Sequence, residues 1–327
     1  MTPSGCARAE GPAPVDAGLR RTGRPRVRPA EVARLKPALD RLYLQYNHAD
    51  SVADPIELAR RYADPADREI AAFCAAGLAF GRVSSVLQSV GRLLAVMDPS
   101  PAAFLARCDP ACDRHLFDGL GHRWTRGADL AALVLILKVM IERRGSIEAF
   151  FLDGYDPDAP DIGPALERFS SAALQIDLRP VYGARVPRGP GVRYFFPKPS
   201  SGSACKRLNL FLRWMVRNDG VDFGLWTRVS PSKLVVPLDT HIVRLGRCLR
   251  LTTYSTPGWR MASEITSSLR MIDPEDPVKY DFSLCHVGMM DACGFRRPNR
   301  DQRCPLRGVC RPGSRRAPAS HRPSDRR

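Results

Sequence analysis

Hydrophobic residues recur at helical spacing over most of this chain. Within residues 36–46, Leu39, Leu42, Tyr43 and Tyr46 fall on one face of a helix, because residues three, four or seven positions apart lie on the same side. Further helices are predicted over residues 54–62, 66–81, 84–97, 129–144, 203–217, 239–251, 257–271 and 277–290. The pattern therefore predicts an all-α fold.

Patterns typical of strands are few. Only residues 191–196 and 234–236 alternate or cluster in a way that favours an extended chain. Residues 153–200 are rich in Gly, Pro and Arg, so we predict a loop-rich insertion there, between helical lobes at about 31–150 and 200–310.

The two ends of the chain differ in composition from the rest. Gly, Pro, Ala and Arg dominate residues 1–30 and 311–327, which contain too few apolar residues to form a core. We therefore predict a disordered basic tail on each side of one helical domain at residues 31–310.

The net positive charge indicates which kind of partner the protein binds. The chain carries 50 Lys and Arg against 34 Asp and Glu, and the tails account for only part of the net charge of +16, so the domain itself is basic. This favours a polyanion such as nucleic acid. A membrane is disfavoured, because the longest apolar run, at residues 130–141, is too short to span a bilayer and contains Lys138. The first residues lack the apolar block of a signal peptide and the chain has ten cysteines, so we expect reduced thiols and a cytoplasmic, nucleoid-associated protein.

Two candidate functional residues stand at predicted helix starts. Lys206 follows Ser-Gly-Ser-Ala-Cys, and Asp239 lies within Pro-Leu-Asp-Thr-His. A helix start concentrates unpaired backbone N–H groups and the positive end of the peptide dipoles, which favour a carboxylate. An amine beside a carboxylate is suited to attacking an electron-poor sugar carbon and stabilising the cation that forms. Two simpler interpretations stay open: Asp239 only caps its helix, and Lys206 only contacts a phosphate.

The sequence around Asp239 also resembles a known motif. Pro-Leu-Asp-Thr-His-Ile-Val-Arg-Leu, at residues 237–245, is similar to the Val-Asp-Thr-His-x-x-Arg signature of the HhH-GPD superfamily of DNA glycosylases, such as endonuclease III. Residues 202–206 align with the Leu-Pro-Gly-x-Gly-x-Lys hairpin of that superfamily, but Ala204 replaces its second glycine and Ser200-Ser201 its Leu-Pro pair. The spacing between the lysine and the aspartate is closer to that of the archaeal 8-oxoguanine glycosylase type.

A more specific resemblance covers residues 36–310. The segments at 46–50, 203–209, 212–217 and 276–282 are similar to a bacterial family of HhH-GPD-like proteins of unassigned function. The resemblance implies a two-lobed helical fold with a cleft between the lobes. It also implies that Asp239 is catalytic and that Lys206 is the nucleophile of an enzyme with lyase activity.

The function implied is base excision repair by a monomer acting on double-stranded DNA. A damaged or modified base would be flipped into the cleft and its N-glycosidic bond cut. The residues expected to hold the DNA are Gly202, Ser203, Arg207, Arg213, His241, Arg244 and Arg247. Two alternatives remain: a non-catalytic, structure-specific DNA-binding protein on the same fold, and an RNA-directed relative.

Four cysteines near the end of the domain form a candidate metal site. Cys304-x5-Cys310 resembles the last pair of the iron–sulfur loop of endonuclease III, while Cys293 lies one residue further out than the first ligand of that loop. Cys285 could be the fourth ligand of the same metal site if its helix ends near Gly288. The resemblance implies a [4Fe–4S] cluster, and thiolate-rich ligation also suits Zn. The alternative is that Cys285 is a core thiol and that no metal binds.

Overall fold

The computed structural model describes residues 26–48, 54–290 and 303–310. Within them the chain is mostly helical, as the hydrophobic periodicity predicts. Its α-helices are α1 Pro29–Tyr46, α2 Ile56–Arg60, α3 Pro65–Gly77, α4 Val83–Met97, α5 Pro101–Arg107, α6 Gly127–Arg144, α7 Ile147–Leu152, α8 Gly163–Ala173, α9 Arg179–Tyr182, α10 Lys206–Val216, α11 Thr240–Cys248, α12 Trp259–Arg270 and α13 Asp281–Met289. Two short strands, β1 Gly121–His122 and β2 Thr125–Arg126, pair as an antiparallel hairpin.

Several helices begin where the sequence supplies a cap. Asp64 accepts hydrogen bonds from the backbone N–H groups of Ala66 and Asp67 at the start of α3, and Pro65 occupies the first helical position. Ser100 and Ser146 cap α5 and α7 in the same way. Because a cap satisfies N–H groups that the helix cannot pair internally, these starts are set locally.

The two strand predictions are wrong. Residues Gly191–Phe195 form a 3-10 helix, and residues 234–236 have no regular structure. Val192, Phe195 and Phe196 are all buried, so the apolar clustering that suggested a strand reflects packing against helices instead.

The predicted loop-rich insertion at 153–200 contains α8 and α9 and contributes to the core. Phe169 and Phe196 lie against Phe73 of α3, with ring centroids 6.3 and 5.7 Å away. Phe211 of α10 meets the same ring edge-on at 5.0 Å. Because these rings come from distant parts of the chain, the segment is part of the shared hydrophobic core.

The first described residues belong to the folded domain, so the predicted boundary at residue 30 is too late. α1 begins at Pro29 and Val27 is buried. The Arg26 guanidinium lies 2.7 Å from a carboxylate oxygen of Glu264. The predicted tails at residues 1–25 and 311–327 lie outside the described residues.

The packing of the helices brings several helix ends together. The buried face of α6 extends from Leu130 to Leu137. α10 packs against α3, and α11 packs against α13. As a result, the end of α3 and the starts of α10 and α11 surround one cleft. Over the described ranges, no helix has the length and apolar content needed to cross a membrane.

Candidate functional site

The cleft has a volume of about 700 Å³. Lys206 from the start of α10 and Asp239 from the start of α11 both line it, as predicted from the sequence. The other polar and aromatic lining residues are Asp54, Phe80, Arg213, Thr240, His241, Arg244, Arg247, Asp281, Phe282 and Cys285. The volume lies within the range of about 300–1,000 Å³ that is typical of small-molecule sites.

Lys206 is the first residue of α10 and its amine points at the end of α3. The preceding residue, Cys205, has a positive φ of 48° and donates its N–H to Ser203 Oγ at 3.1 Å, which forms the tight turn into the helix. Lys206 Nζ donates a hydrogen bond to the carbonyl oxygen of Ala79 at 3.0 Å. Ala79 itself lines the cleft, so this bond holds the amine at the cleft wall.

The two carboxylate oxygens of Asp239 have different partners. Oδ1 accepts the backbone N–H of Ile242 at 2.7 Å and caps α11. Oδ2 lies 3.5 Å from the Sγ of Cys285, which donates to it from α13. Capping therefore uses one oxygen and leaves the other on the side of the cleft.

Buried charges lie beneath these two residues. Arg213 Nη1 lies 2.6 Å from Asp281 Oδ2, and Arg213 Nε lies 3.2 Å from Asp222 Oδ1. Burial raises the pKa of Asp281 to about 7, Arg213 opposes the rise and the Asp239 carboxylate adds to it. No donor among the described residues reaches Asp281 Oδ1. Asp281 is thus a buried cleft carboxyl, paired with Arg213, whose pKa is raised by loss of solvation.

The environment of Cys285 links the candidate residues. Burial raises the pKa of its thiol well above the usual value, the carboxylates of Asp239 and Asp281 add to the rise, and Arg213 and Lys206 oppose it. The thiol therefore contacts the Asp239 carboxylate directly and is also subject to the positive charge of Lys206.

The prediction that Arg213 contacts DNA is wrong. Its side chain is 3% exposed and paired with two buried carboxylates, so it supports the cleft from below and does not reach a phosphate. The prediction failed because no local pattern shows that the carboxylates of Asp222, nine residues later, and of Asp281, at the start of α13, pair with this side chain.

Arg207 is also engaged within the protein. Its guanidinium donates to the carbonyl oxygen of Gly77 at 3.0 Å and to that of Tyr194, and it lies 5.2 Å from the centre of the Phe80 ring. Burial lowers the pKa of Arg207 to about 10. The side chain therefore ties α10 to the end of α3, in place of the predicted phosphate contact.

The remaining predicted DNA-binding residues lie at the cleft or beside the turn that leads into it. His241, Arg244 and Arg247 line the cleft, and Arg244 is exposed. Gly202 is exposed, has a φ of 81° and accepts the backbone N–H of Trp259 through its carbonyl oxygen. Ser203 is half-buried in the turn before Lys206. Their role in DNA binding stays a prediction.

The predicted metal site receives no support from Cys285. Its thiol faces the cleft and donates to Asp239, whereas a metal ligand would be a thiolate. Cys293 lies outside the described residues, Cys304 is buried and Cys310 is half-buried. In the described part of the chain, no three His, Cys, Asp or Glu side chains gather as a metal site. The metal site, with Cys285, Cys293, Cys304 and Cys310 as its ligands, remains a prediction.

Sequence reasoning did not identify Asp281 or Phe80 as cleft residues. Asp281 begins a helix, as many acidic residues do, and Phe80 follows the apolar face of α3. No local pattern separates them from ordinary cap and core residues. Only their position around Lys206 and Asp239 marks them.

These features define a mostly α-helical protein with a cleft in which a lysine and an aspartate at helix starts meet buried carboxyl and thiol groups. The chain belongs to the DUF2400 family, described as a protein of unknown function, whose profile matches residues 54–290. The match includes every described residue that lines the cleft. No curated protein and no solved structure matches the chain.

Proposed function

We propose that this protein is a DNA N-glycosylase with lyase activity, built on the two-lobed HhH-GPD fold that its motifs resemble. The observation that carries the proposal is the shared cleft of Lys206 and Asp239, two residues that the motif pairs but that lie far apart in sequence. A volume of about 700 Å³ accommodates a flipped nucleotide, and the exposed Arg244 at its edge supports contact with a polyanion.

The chemistry assigned to the two residues is complementary. The lone pair of Lys206 Nζ bonds to the sugar C1′ as the bond from C1′ to the base breaks, and the base leaves with the electron pair and takes up the proton that the amine loses. The Asp239 carboxylate stabilises the positive charge on the sugar during this exchange. The sugar ring then opens between C1′ and O4′, O4′ takes a proton from solvent, and a Schiff base remains at C1′.

Borohydride trapping tests the lysine. Borohydride reduces a Schiff base to a stable amine, so the wild-type protein should form a covalent adduct with an oligonucleotide duplex that carries an abasic site. Lys206→Gln should form none. Lys233→Gln is the matched control, because Lys233 also donates to a backbone carbonyl, that of Ala159, but lies outside the cleft; it should retain the adduct.

Base release from a panel of damaged duplexes tests the aspartate. Asp239→Asn keeps an N-cap residue and should therefore fold, yet its base release should fall at least a hundredfold because the charge is gone. Asp64→Asn changes the cap of α3 in the same way and should leave activity intact. The proposal would be refuted if the wild type formed no adduct and released no base from any duplex of the panel.

One observation favours a second candidate function, a structure-specific DNA-binding protein without catalysis. Both Lys206 Nζ and Asp239 Oδ1 already make contacts that serve the fold, to Ala79 and Ile242. Such a protein would bind branched or mismatched duplexes tightly and release no base. Lys206→Gln would then weaken DNA binding without changing any reaction.

A further inference from the structure

Two large aromatic side chains stand exposed close to the cleft. Trp124 is 51% exposed and Tyr194 is 52% exposed, and their ring centroids are 5.6 Å apart. Trp124 also stacks on Phe80, a cleft residue, with centroids 4.8 Å apart and 23° between the ring planes. A row of three rings therefore leads from the cleft wall to the surface. We call Trp124 and Tyr194, supported by Phe80, the aromatic ledge.

The ledge is held rigidly. Trp124 occupies the turn of the β1–β2 hairpin, where Arg123 adopts a positive φ of 54°. A ring nitrogen of the buried His122 lies 2.7 Å from the Phe80 carbonyl oxygen, and the other lies 3.0 Å from Ser89 Oγ. The Arg207 guanidinium also lies over the Phe80 ring, 5.2 Å from its centroid. Phe80 thus supports the Trp124 ring, and Trp124 and Tyr194 present their remaining surface to solvent.

The three chain segments that bear the rings carry side-chain charge of one sign, and the carboxylates that contact them come from other elements: Glu167 accepts hydrogen bonds from Ser200, and Asp129 accepts one from the backbone N–H of Arg126. Residues 79–97, 119–126 and 183–207, which include all three rings and the turn into α10, contain no Asp or Glu and ten Lys and Arg residues, of which Lys206 and Arg207 are engaged within the protein. In a chain with 34 acidic residues, this is a strong local asymmetry. Exposed aromatic rings on a positively charged surface match the two features of a strand of nucleic acid, the faces of its bases and its phosphates.

We propose that the aromatic ledge binds single-stranded DNA by stacking unpaired bases on Trp124 and Tyr194. The strand would leave the cleft past Phe80 and continue over the ledge, with its phosphates along the basic segments. Such a surface would favour DNA whose bases are already unpaired next to the nucleotide in the cleft. The proposal extends the DNA-directed function proposed above but requires no reaction in the cleft.

Binding of undamaged oligothymidylate to the full-length protein tests the ledge. The other three tryptophans are less accessible, with Trp214 and Trp226 buried and Trp259 half-buried, so quenching of tryptophan emission by bound bases reports mainly on Trp124. With a labelled dT12, fluorescence anisotropy gives the affinity in parallel. We expect dT12 to bind and to quench the wild type.

Matched substitutions separate stacking from simple exposure. Trp124→Leu and Tyr194→Leu should each weaken dT12 binding about tenfold, because a leucine offers no ring face. Trp124→Phe keeps a ring and should bind within about twofold of the wild type while losing the quenching. Thermal melts of all three variants check folding, and Tyr194→Leu provides a second test if Trp124→Leu does not fold.

Three results would overturn the proposal. They are unchanged affinity in both leucine variants, unchanged quenching in Trp124→Phe, and tighter binding of U12 than of dT12, which would assign the ledge to RNA. Because dT12 contains no lesion or abasic site, these results do not depend on whether the protein releases a base or forms a Schiff base. Failure of the ledge and failure of the glycosylase proposal are therefore distinguishable.

Discussion

Asp281 illustrates how a single residue acquires its properties from its surroundings. Alone, an aspartate at the start of a helix would ionise readily, since the helix dipole favours its charge. In the cleft it is buried and paired with Arg213, the charge of the Asp239 carboxylate opposes its ionisation, and its pKa rises to about 7. Loss of solvation therefore outweighs both the ion pair and the helix start.

This shift predicts a pH dependence of stability. The pKa of Asp281 in the folded state lies above that of an unfolded aspartate, about 3.9, so the stability it contributes is present below about pH 4 and is lost as the pH rises through about 7. Asp281→Asn cannot titrate. We expect the free energy of unfolding of the wild type to fall relative to that of Asp281→Asn between pH 4.5 and pH 7.5, as measured by urea denaturation.

The control for this titration is Asp177→Asn. Asp177 is exposed, and hydrogen bonds from Arg179 lower its pKa, so it stays ionised across the same pH range. Its substitution should shift the unfolding free energy by an amount that does not change with pH. If Asp281→Asn behaved in the same way, the assigned proton at Asp281 would be wrong.

At the scale of the elements, the packing of α11 against α13 sets the geometry of the cleft. Asp239 caps α11, and Cys285 projects from α13 toward it, so the distance between their side chains depends on how closely the two helices approach. Gly288 allows that approach. A Cβ added there would lie 2.5 Å from His241 Nδ1, well inside the contact distance.

Gly288→Ala should therefore destabilise the protein. Because the new methyl group would meet the His241 ring, α11 and α13 must move apart, at a cost of about 1–3 kcal/mol. Urea denaturation measures the change. Gly91→Ala, in the middle of α4, is the matched control: a Cβ there meets no atom of the described residues within 4 Å.

The two alanine substitutions should change the free energy of unfolding in opposite directions. Gly91→Ala should stabilise the protein by about 0.5–1 kcal/mol, because alanine has the higher helix propensity and no clash opposes it. Stabilisation by Gly288→Ala would mean that the close contact between α11 and α13 does not exist in solution.

For the whole molecule, net charge is the dominant property. An excess of 16 positive charges predicts DNA binding governed by the release of counterions from the phosphate backbone. The logarithm of the affinity for a duplex should fall linearly with the logarithm of the salt concentration. Because this term depends on phosphates only, it should be nearly independent of base sequence.

Arg244 offers a test of that dependence, since it is exposed at the cleft. Arg244→Gln should reduce the steepness of the salt dependence by about one unit and weaken binding evenly across DNA sequences. Fluorescence anisotropy at several NaCl concentrations measures both. Arg179→Gln is the control, because it removes the same charge from a residue that does not line the cleft, and it should leave the steepness unchanged. Equal effects of the two substitutions would contradict a DNA interface at the cleft.

Predictions from sequence succeeded where the cause is local. Helical spacing of apolar residues and the cap at Asp239 act within a few positions, so α1–α4, α6 and α10–α13 follow in outline from the sequence, whereas α5, α7, α8 and α9 were not predicted. The strand predicted at residues 191–196 is wrong. Clustered apolar residues are compatible with a strand, but here they form a 3-10 helix whose following residue, Phe196, packs on Phe73.

The sequence by itself determined that this protein is mostly helical and basic, and that Lys206 and Asp239 each stand at a helix start. Only the tertiary structure decided which charged side chains face solvent: Arg213 and Arg244 look alike in sequence, yet one is buried by Asp222 and Asp281 and the other is exposed at the cleft. It also placed Cys285 beside Asp239 and Trp124 on Phe80. The reason is physical: periodicity and capping depend on neighbours along the chain, whereas solvation, charge pairing and ring stacking depend on neighbours in space.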